Sequence, residues 1–403
     1  MDSYWTLLQT RGVARIMSAQ LLARFPFGML SLAFLLHIER IHHSYGAAGL
    51  VLAATSVGQA IAGPLTSRWM GVWGMRKVLT LTLVVCASAL GVIAFAPTLP
   101  VPVYMVVGFI GGLSSPPVQP AVRTIYPKMV NSRQLTPLFS LDASAQEVIW
   151  VVGPVITTFV ATQISTVLAI VLAMIFLVVG GIWFISSPEV GRVRIPRSRR
   201  KIGAVLARPA VLLATVTGFL LVGACAAVEA GVVATFGHDS PNSGIVLAIF
   251  SVGSLIGGLA FGHIPIGPWA LARRMFIVFL GMAVAAASLE FWWLALSLAI
   301  AGVGIAPALA VMFAIVSASV KFSETAEAYG WVGTGQLIGA ALGSAAAGFM
   351  IDAFDAPGAF WVAIAFAFVG FLIPVVLRRA HPDLRGRDAS PIPDTEPIQA
   401  VRP

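Results

Sequence analysis

Between residues 14 and 378 the chain is a succession of apolar runs separated by short polar breaks. A helix needs roughly 20 apolar residues to cross a hydrocarbon core about 30 Å thick, at about 1.5 Å of rise per residue. Twelve runs meet that length: 14–38, 46–68, 77–97, 101–123, 136–160, 166–187, 209–235, 244–264, 273–292, 294–320, 329–352 and 357–378. Hydrocarbon offers no partner to a backbone amide, so each run must satisfy its own hydrogen bonds as a helix. Composition agrees. Only 10% of the 403 residues are charged and 58% are hydrophobic, against roughly 25% charged in a soluble domain. The polar surface cannot clothe a water-soluble particle. The sequence therefore predicts an all-α integral membrane protein with 12 transmembrane helices. Its first run lacks a small-residue cleavage site and reads as a retained span.

Twelve spans place both termini on one side, and Lys and Arg decide which. With a cytoplasmic N-terminus, bases at 11–15, 68–77, 123–133, 192–208, 273–274, 321 and 378–402 face the cytoplasm, 23 of the 25 in all. Arg24 lies within a span, and only Arg40 falls in an external loop. The reverse orientation would put those 23 outside, which predicts a cell-membrane protein with both termini cytoplasmic. Most of the ten Trp lie near span ends, where an interfacial anchor needs them. Cys86 and Cys225 sit in apolar runs without metal-ligand spacing, so neither a disulfide nor a metal site is expected. The net charge of +9 follows from topology, and no nucleic-acid partner is expected.

Residues 49–63, GLVLAATSVGQAIAG, and 244–258, GIVLAIFSVGSLIGG, match at nine of fifteen positions at an offset of 195. These are the second and eighth spans, so the chain reads as two six-helix halves of parallel orientation. The expected organisation is 1–13 as a cytoplasmic or interfacial lead-in, 14–187 and 209–378 as the halves, 188–208 as a basic linker, and 379–403 as a disordered cytoplasmic tail. The linker either sets topology or meets anionic membrane lipids.

Twelve spans, a 6+6 plan and a basic central loop resemble the major facilitator superfamily of secondary transporters, over about residues 12–380. That family carries Gly-x-x-x-Asp-Arg-x-Gly-Arg-Arg between its second and third helices. Here SRWMGVWGMRK stands there, with Ser67 for the first glycine, Gly71 for the acid, Val72 for the first base, and Gly74, Arg76 and Lys77 retained. The acid belongs to the family's cytoplasmic lock, so the resemblance implies that this chain closes through other contacts. VVGPV, with Gly153 and Pro154, resembles a motif of the family's exporters. The resemblance also implies a cavity lined by helices 1, 4, 7 and 10. Three of these carry mid-span prolines: Pro26, then Pro116, Pro117 and Pro120, then Pro307. Gly335, Gly339 and Gly343 form a GxxxGxxxG seam in span 11, read either as static packing or as a surface on which the halves rock.

Charges deep in a bilayer are costly unless paired or wetted, and four stand out: Arg24, Asp142, Glu147 and Glu229. Arg24 and Glu147 are expected at one depth, as a structural pair or as one that opens while Glu147 takes a proton. Asp142 is level with Arg123, which predicts a clamp at the inner mouth or a solvated span end. Glu229 has no base at its depth, so it lines a cavity or sits at a wetted end. Gln20, Gln59, Gln119 and Gln336 line the path or bridge helices. His37, His42, His43 and His238 lie at external span ends without ligand spacing. No phosphate loop and no nucleophile-plus-base set occurs, so neither ATP drive, enzymatic chemistry nor a cofactor is expected. The expected function is secondary transport of a small organic molecule by a monomer using alternating access, most simply proton-coupled efflux through an antiporter, with the proton acting through Glu147, or else through Asp142 or Glu229. The alternatives are an uptake symporter or uniporter for a sugar or organic acid, and a transport-inactive scaffold or sensor.

Overall fold

The computed structural model describes residues 2–198, 200–237, 241–386 and 389–394. Twelve long helices follow one another: α1 (Val13–His42), α2 (Tyr45–Trp73), α3 (Met75–Phe95), α4 (Val101–Met129), α5 (Ser132–Gln163), α6 (Thr166–Ser186), α7 (Pro209–Phe236), α8 (Pro241–Phe261), α9 (Ala270–Ala285), α10 (Phe291–Ser319), α11 (Phe322–Phe354) and α12 (Ala356–Val376). Among the described residues, eleven are long and apolar enough to cross a membrane. The exception, α9, has 16 residues. The expected run 273–292 is cut short by a turn, in which the Glu290 amide donates to Ser288 and the Trp293 indole donates to the Val284 carbonyl at 2.8 Å.

Proline breaks two spans. α1 passes through a 3-10 turn at Phe25–Gly28, because Pro26 has no amide to continue the helix. α4 stops at Leu113 and resumes at Val118, on either side of Pro116 and Pro117. α10 runs unbroken through Pro307, and the amide of Ala306 beside it donates to Ser254 Oγ at 3.1 Å.

The two halves repeat each other in packing as well as in sequence. In the first, a Cβ on Gly58 of α2 would strike the Phe109 carbonyl of α4, and one on Gly112 would strike the Thr55 carbonyl. In the second, Gly253 of α8 meets the Ala299 carbonyl of α10, and Gly302 meets the Phe250 carbonyl. Gly253 and Phe250 stand at the same offset of 195 from Gly58 and Thr55. Small residues let the two backbones touch, which is what drives association where hydrophobic expulsion cannot.

The start of α1, the linker and the described part of the tail share one face, called here the linker face. The halves meet at its end of the bundle. Gly63 of α2 lies on Gly330 of α11, and Thr334 Oγ1 donates to the Ala60 carbonyl at 2.7 Å. The symmetry-related contact joins α5 to α8, where Ser140 Oγ donates to the Gly258 carbonyl at 2.5 Å. Phe139, Phe313 and Tyr329 pack in tilted and edge-to-face contacts between these seams, with Tyr126 edge-on to Phe139. This face is closed.

One expectation is narrowed and one corrected. The Gly335, Gly339 and Gly343 seam packs on Thr215, Phe219 and Gly223 of α7, within the second half, which agrees with the static-packing reading and not with a surface between halves. Residues 379–394 are not free chain where they are described. Leu384 donates to the Ile266 carbonyl, Ile392 pairs its backbone with Val320 and Phe322, and Ser323 donates to Asp394 at 2.5 Å. A strap of backbone hydrogen bonds and a buried Ala389 thus ties the tail to the ends of α10 and α11. Positions 387–388 and 395–403 of that tail, and His238, lie outside the described residues.

Candidate substrate path and gate

Asp142 is the centre of a buried network. Its Oδ1 accepts from Arg24 Nη1 at 3.1 Å, Gln20 at 3.1 Å and Tyr126 at 3.2 Å, and its Oδ2 accepts from Arg123 Nε at 2.9 Å. Arg24 also donates to Gln20 Oε1 at 2.7 Å and to Gln146. Gln119, with its amide oxygen turned to Arg123, accepts from both terminal nitrogens at 2.5 and 2.9 Å. The side chains of Arg24, Arg123 and Asp142 are 3%, 1% and 0% exposed. One carboxylate therefore serves two buried guanidiniums, and amide and phenol groups satisfy the remaining donors and acceptors. Such a network is tolerated only when every member is bonded.

The expected Arg24–Glu147 pair is absent: Arg24 pairs with Asp142 instead. The reason is a boundary. α5 begins at Ser132, earlier than the expected 136, so Asp142 lies ten residues into it, and Arg24 lies eleven past Val13. Those two share a depth. Glu147 is five residues further on, about 140° round the helix. It points to the other half, towards Ser254 in α8. The expected Arg123–Asp142 contact is present but lies within one half. Arg123 reaches the other half through its flat face, 3.4 Å from the centre of the Phe313 ring of α10.

Glu147 of α5 and Glu229 of α7 both lie in the neighbourhood of Cys225. Both carboxylates lie close enough to act on the Cys225 thiol. α7 is mostly buried, yet Val222, Cys225, Ala226, Glu229, Ala230 and Val233 form one accessible stripe at helical spacing. Since that stripe faces Glu147 of α5, it lines the space between the halves. Gly153 sits where α5 crosses the broken turn of α1: a Cβ there would lie 2.9 Å from the Gly28 carbonyl. Pro154, one residue on, stays inside the continuous α5, while Pro26 is buried in the opposing turn. His37 is a satisfied core group, between Thr166 at 3.0 Å and the Ile93 carbonyl at 3.0 Å. No group of metal-ligating side chains occurs among the described residues.

The loop motif acts locally. Gly74 takes φ +90°, which favours glycine. Arg76 donates to the carbonyls of Ile185 and Ser187 at 3.1 and 3.2 Å, capping the end of α6, and Lys77 is exposed. At Gly71, where the family has an acid, a Cβ would lie 3.2 Å from the Pro196 carbonyl, so the linker occupies that place. The link between halves runs through residues not singled out from sequence. Arg68 donates through Nη1 to Glu327 of α11 at 3.0 Å and through Nη2 to the Arg200 carbonyl, while the Gly203 amide donates to Glu327 at 2.7 Å. Arg200 and Arg208 of the linker pair with Glu324 at 3.3 and 3.5 Å. The available signal was two acids three residues apart, opening a span that faces a basic linker. Ser67, next to Arg68, is buried without a hydrogen-bond partner.

The model of the Major Facilitator Superfamily matches residues 16–289 and 226–401. The chain belongs to the Major Facilitator Superfamily. Superfamily members among solved structures share the fold along nearly their whole length. The human organic anion transporter MFSD10 (TETRAN) is 16% identical, with a TM-score of 0.69 over 90% of this chain and 99% of that one. A bacterial homologue of the iron transporter ferroportin, in an outward-facing state, is 11% identical, with a TM-score of 0.74 over 92% and 100%. A variant of the E. coli fucose:proton symporter FucP is 14% identical, with a TM-score of 0.70 over 91% and 98%. At such identities the likeness shows the fold alone. No curated protein sequence matches the chain. Membership makes it a multi-pass membrane transporter and not an enzyme.

Proposed function

We propose that the chain exports a small organic molecule across the cell membrane by proton antiport, as a monomer, with the linker face and both termini in the cytoplasm. The observation that carries the reading is that each half holds a deep carboxylate near Cys225, Glu147 in α5 and Glu229 in α7, with no ion pair among the described residues, whereas Arg24 and Arg123 are both neutralised by Asp142. A carboxyl group without a fixed cation can exchange a proton for a substrate as the cavity switches sides. Glu147, beside Ser254 of the opposite half, is the first candidate for that exchange and Glu229 the second. Asp142 is not, because two guanidiniums already occupy both of its oxygens. The Gly153-Pro154 motif supports export. Solved relatives carry organic anions, iron and sugars by their descriptions, so they leave the substrate open.

The test is flux in proteoliposomes against a compound panel, with an imposed pH jump. Acidifying the side opposite the linker should drive substrate towards it. Glu147→Gln should lose proton-driven flux by about tenfold or more while keeping substrate exchange. Full pH-driven flux in that variant, once shown to be folded, rules out Glu147 as the coupling group. Substrate moving with the proton instead of against it replaces export by symport.

A further inference from the structure

A cavity of about 410 Å³ lies at the linker face, where the two halves and the linker meet. The end of α2 supplies Ser67 and Arg68, the linker supplies Arg197 and Ser198, and the start of α11 supplies Ser323 and Glu327. Its volume is that of a small-molecule site. Three features define its chemistry. Ser67 is 1% exposed, lines the cavity, and its hydroxyl has no hydrogen-bond partner. Arg197 lines it with no ion pair among the described residues. The one carboxylate in the wall is spent, because Glu327 accepts from Arg68 through one oxygen and from the Gly203 amide through the other.

What remains is a free guanidinium, a second one held rigidly by Glu327, and an orphaned hydroxyl. This donor set suits an oxyanion with several acceptor oxygens. We propose that this cavity binds a phosphate-bearing ligand and that the ligand holds the linker face closed. The phosphate belongs either to a soluble phosphomonoester or to a phospholipid headgroup. Both sources can reach it: Val72 on the rim is 44% exposed beside Trp73, at the span end where an interfacial anchor sits. The coupling to closure is geometric. Ser67 and Arg68 belong to one half and Ser323 and Glu327 to the other, so separating the halves at this face splits the site. A ligand that binds only the closed form shifts the equilibrium towards it.

The experiment uses the full chain with Cys86→Ala, in micelles of a maltoside detergent that carries no phosphate, titrated with inorganic phosphate and glycerol 3-phosphate. A parallel arm adds phosphatidylglycerol to the micelles in place of the soluble phosphates. Melting temperature reports binding, and alkylation of Cys225 reports opening of the space between the halves away from the linker face. A rise in melting temperature with faster Cys225 alkylation is expected in one arm, and the arm that responds identifies the source. Arg197→Gln, at an exposed position, should weaken binding by about tenfold, and Ser67→Ala should weaken it too. Lys77→Gln, outside the cavity, should not. The proposal is overturned if neither arm responds, if Arg197→Gln binds as the parent does, or if Lys77→Gln weakens binding equally. Binding without a change in Cys225 alkylation overturns the closure. No flux is measured, so these outcomes are independent of proton coupling.

Discussion

Asp142 is the counterion of both Arg24 and Arg123, so neutralising it strands two buried cations. Asp142→Asn should cost about 3–5 kcal/mol, read as a large drop in melting temperature. Glu147→Gln, with no cation to strand, should leave the melting temperature near the parent's. Exchanging the charges of Arg123 and Asp142 should fail to rescue, since Arg24 would then face an arginine at 142. Recovery of the parent's stability in that double variant would mean Arg24 is not part of the network. In the tail, outside the spans, His381 is buried, and its Nδ1 bonds the Pro382 carbonyl at 2.8 Å. Burial, with a smaller contribution from Arg274, pushes its pKa below the usual 6.5, opposed by the Pro382 bond and Asp383. The folded tail thus favours the neutral ring. That contribution is present above pH 6.5 and is lost as pH falls towards the lowered value. Protease cleavage of the tail should accelerate over that window and become pH-independent there in His381→Gln.

At the scale of elements, glycines decide how closely helices approach. Gly339 and Gly343 lie against the Phe219 and Gly223 carbonyls of α7, backbone that cannot step aside. Gly333, in the same helix, has nothing within 4 Å of an added Cβ. Gly339→Ala should therefore lower the melting temperature while Gly333→Ala leaves it unchanged or raises it, since alanine favours a helix by about 1 kcal/mol. Equal effects at the two positions would argue against a close α7–α11 seam. Because both helices belong to one half, this seam makes the half rigid, and motion between halves must occur where Gly63 meets Gly330 and Ser140 meets Gly258.

At the scale of the whole molecule, closure of the linker face rests on a few bonds that cross it. Arg68–Glu327 and the Arg200 and Arg208 pairs with Glu324 tie the first half and the linker to α11. The face of Arg123 on Phe313 adds a contact that needs no acid. The linker thereby replaces the contact that the family assigns to the acid at the position of Gly71. Glu327→Gln keeps the shape and removes the charge, which should shift the equilibrium towards opening by about 1 kcal/mol, roughly fivefold in population. Cys225 alkylation should slow accordingly. Unchanged or faster alkylation would show that this pair does not hold the gate.

The number and order of the membrane helices, their two-half plan and the breaks at Pro26 and Pro116–Pro117 were legible in the sequence. They depend on quantities that add up locally: apolar length, proline content, and a repeat at a fixed offset. The choice of deep charges was also legible, because a charge in an apolar run is conspicuous whatever it touches. Their partners were not. A side chain turns by about 100° and climbs about 1.5 Å with each residue, so a helix start misplaced by four residues moves a carboxylate by a full turn. That displacement exchanged Asp142 for Glu147 as the partner of Arg24, and it freed Glu147 to face the other half. The seam partner of Gly339, the docking of the tail and the lock at Glu327 join positions far apart in the chain, and only the packed bundle brings them within reach.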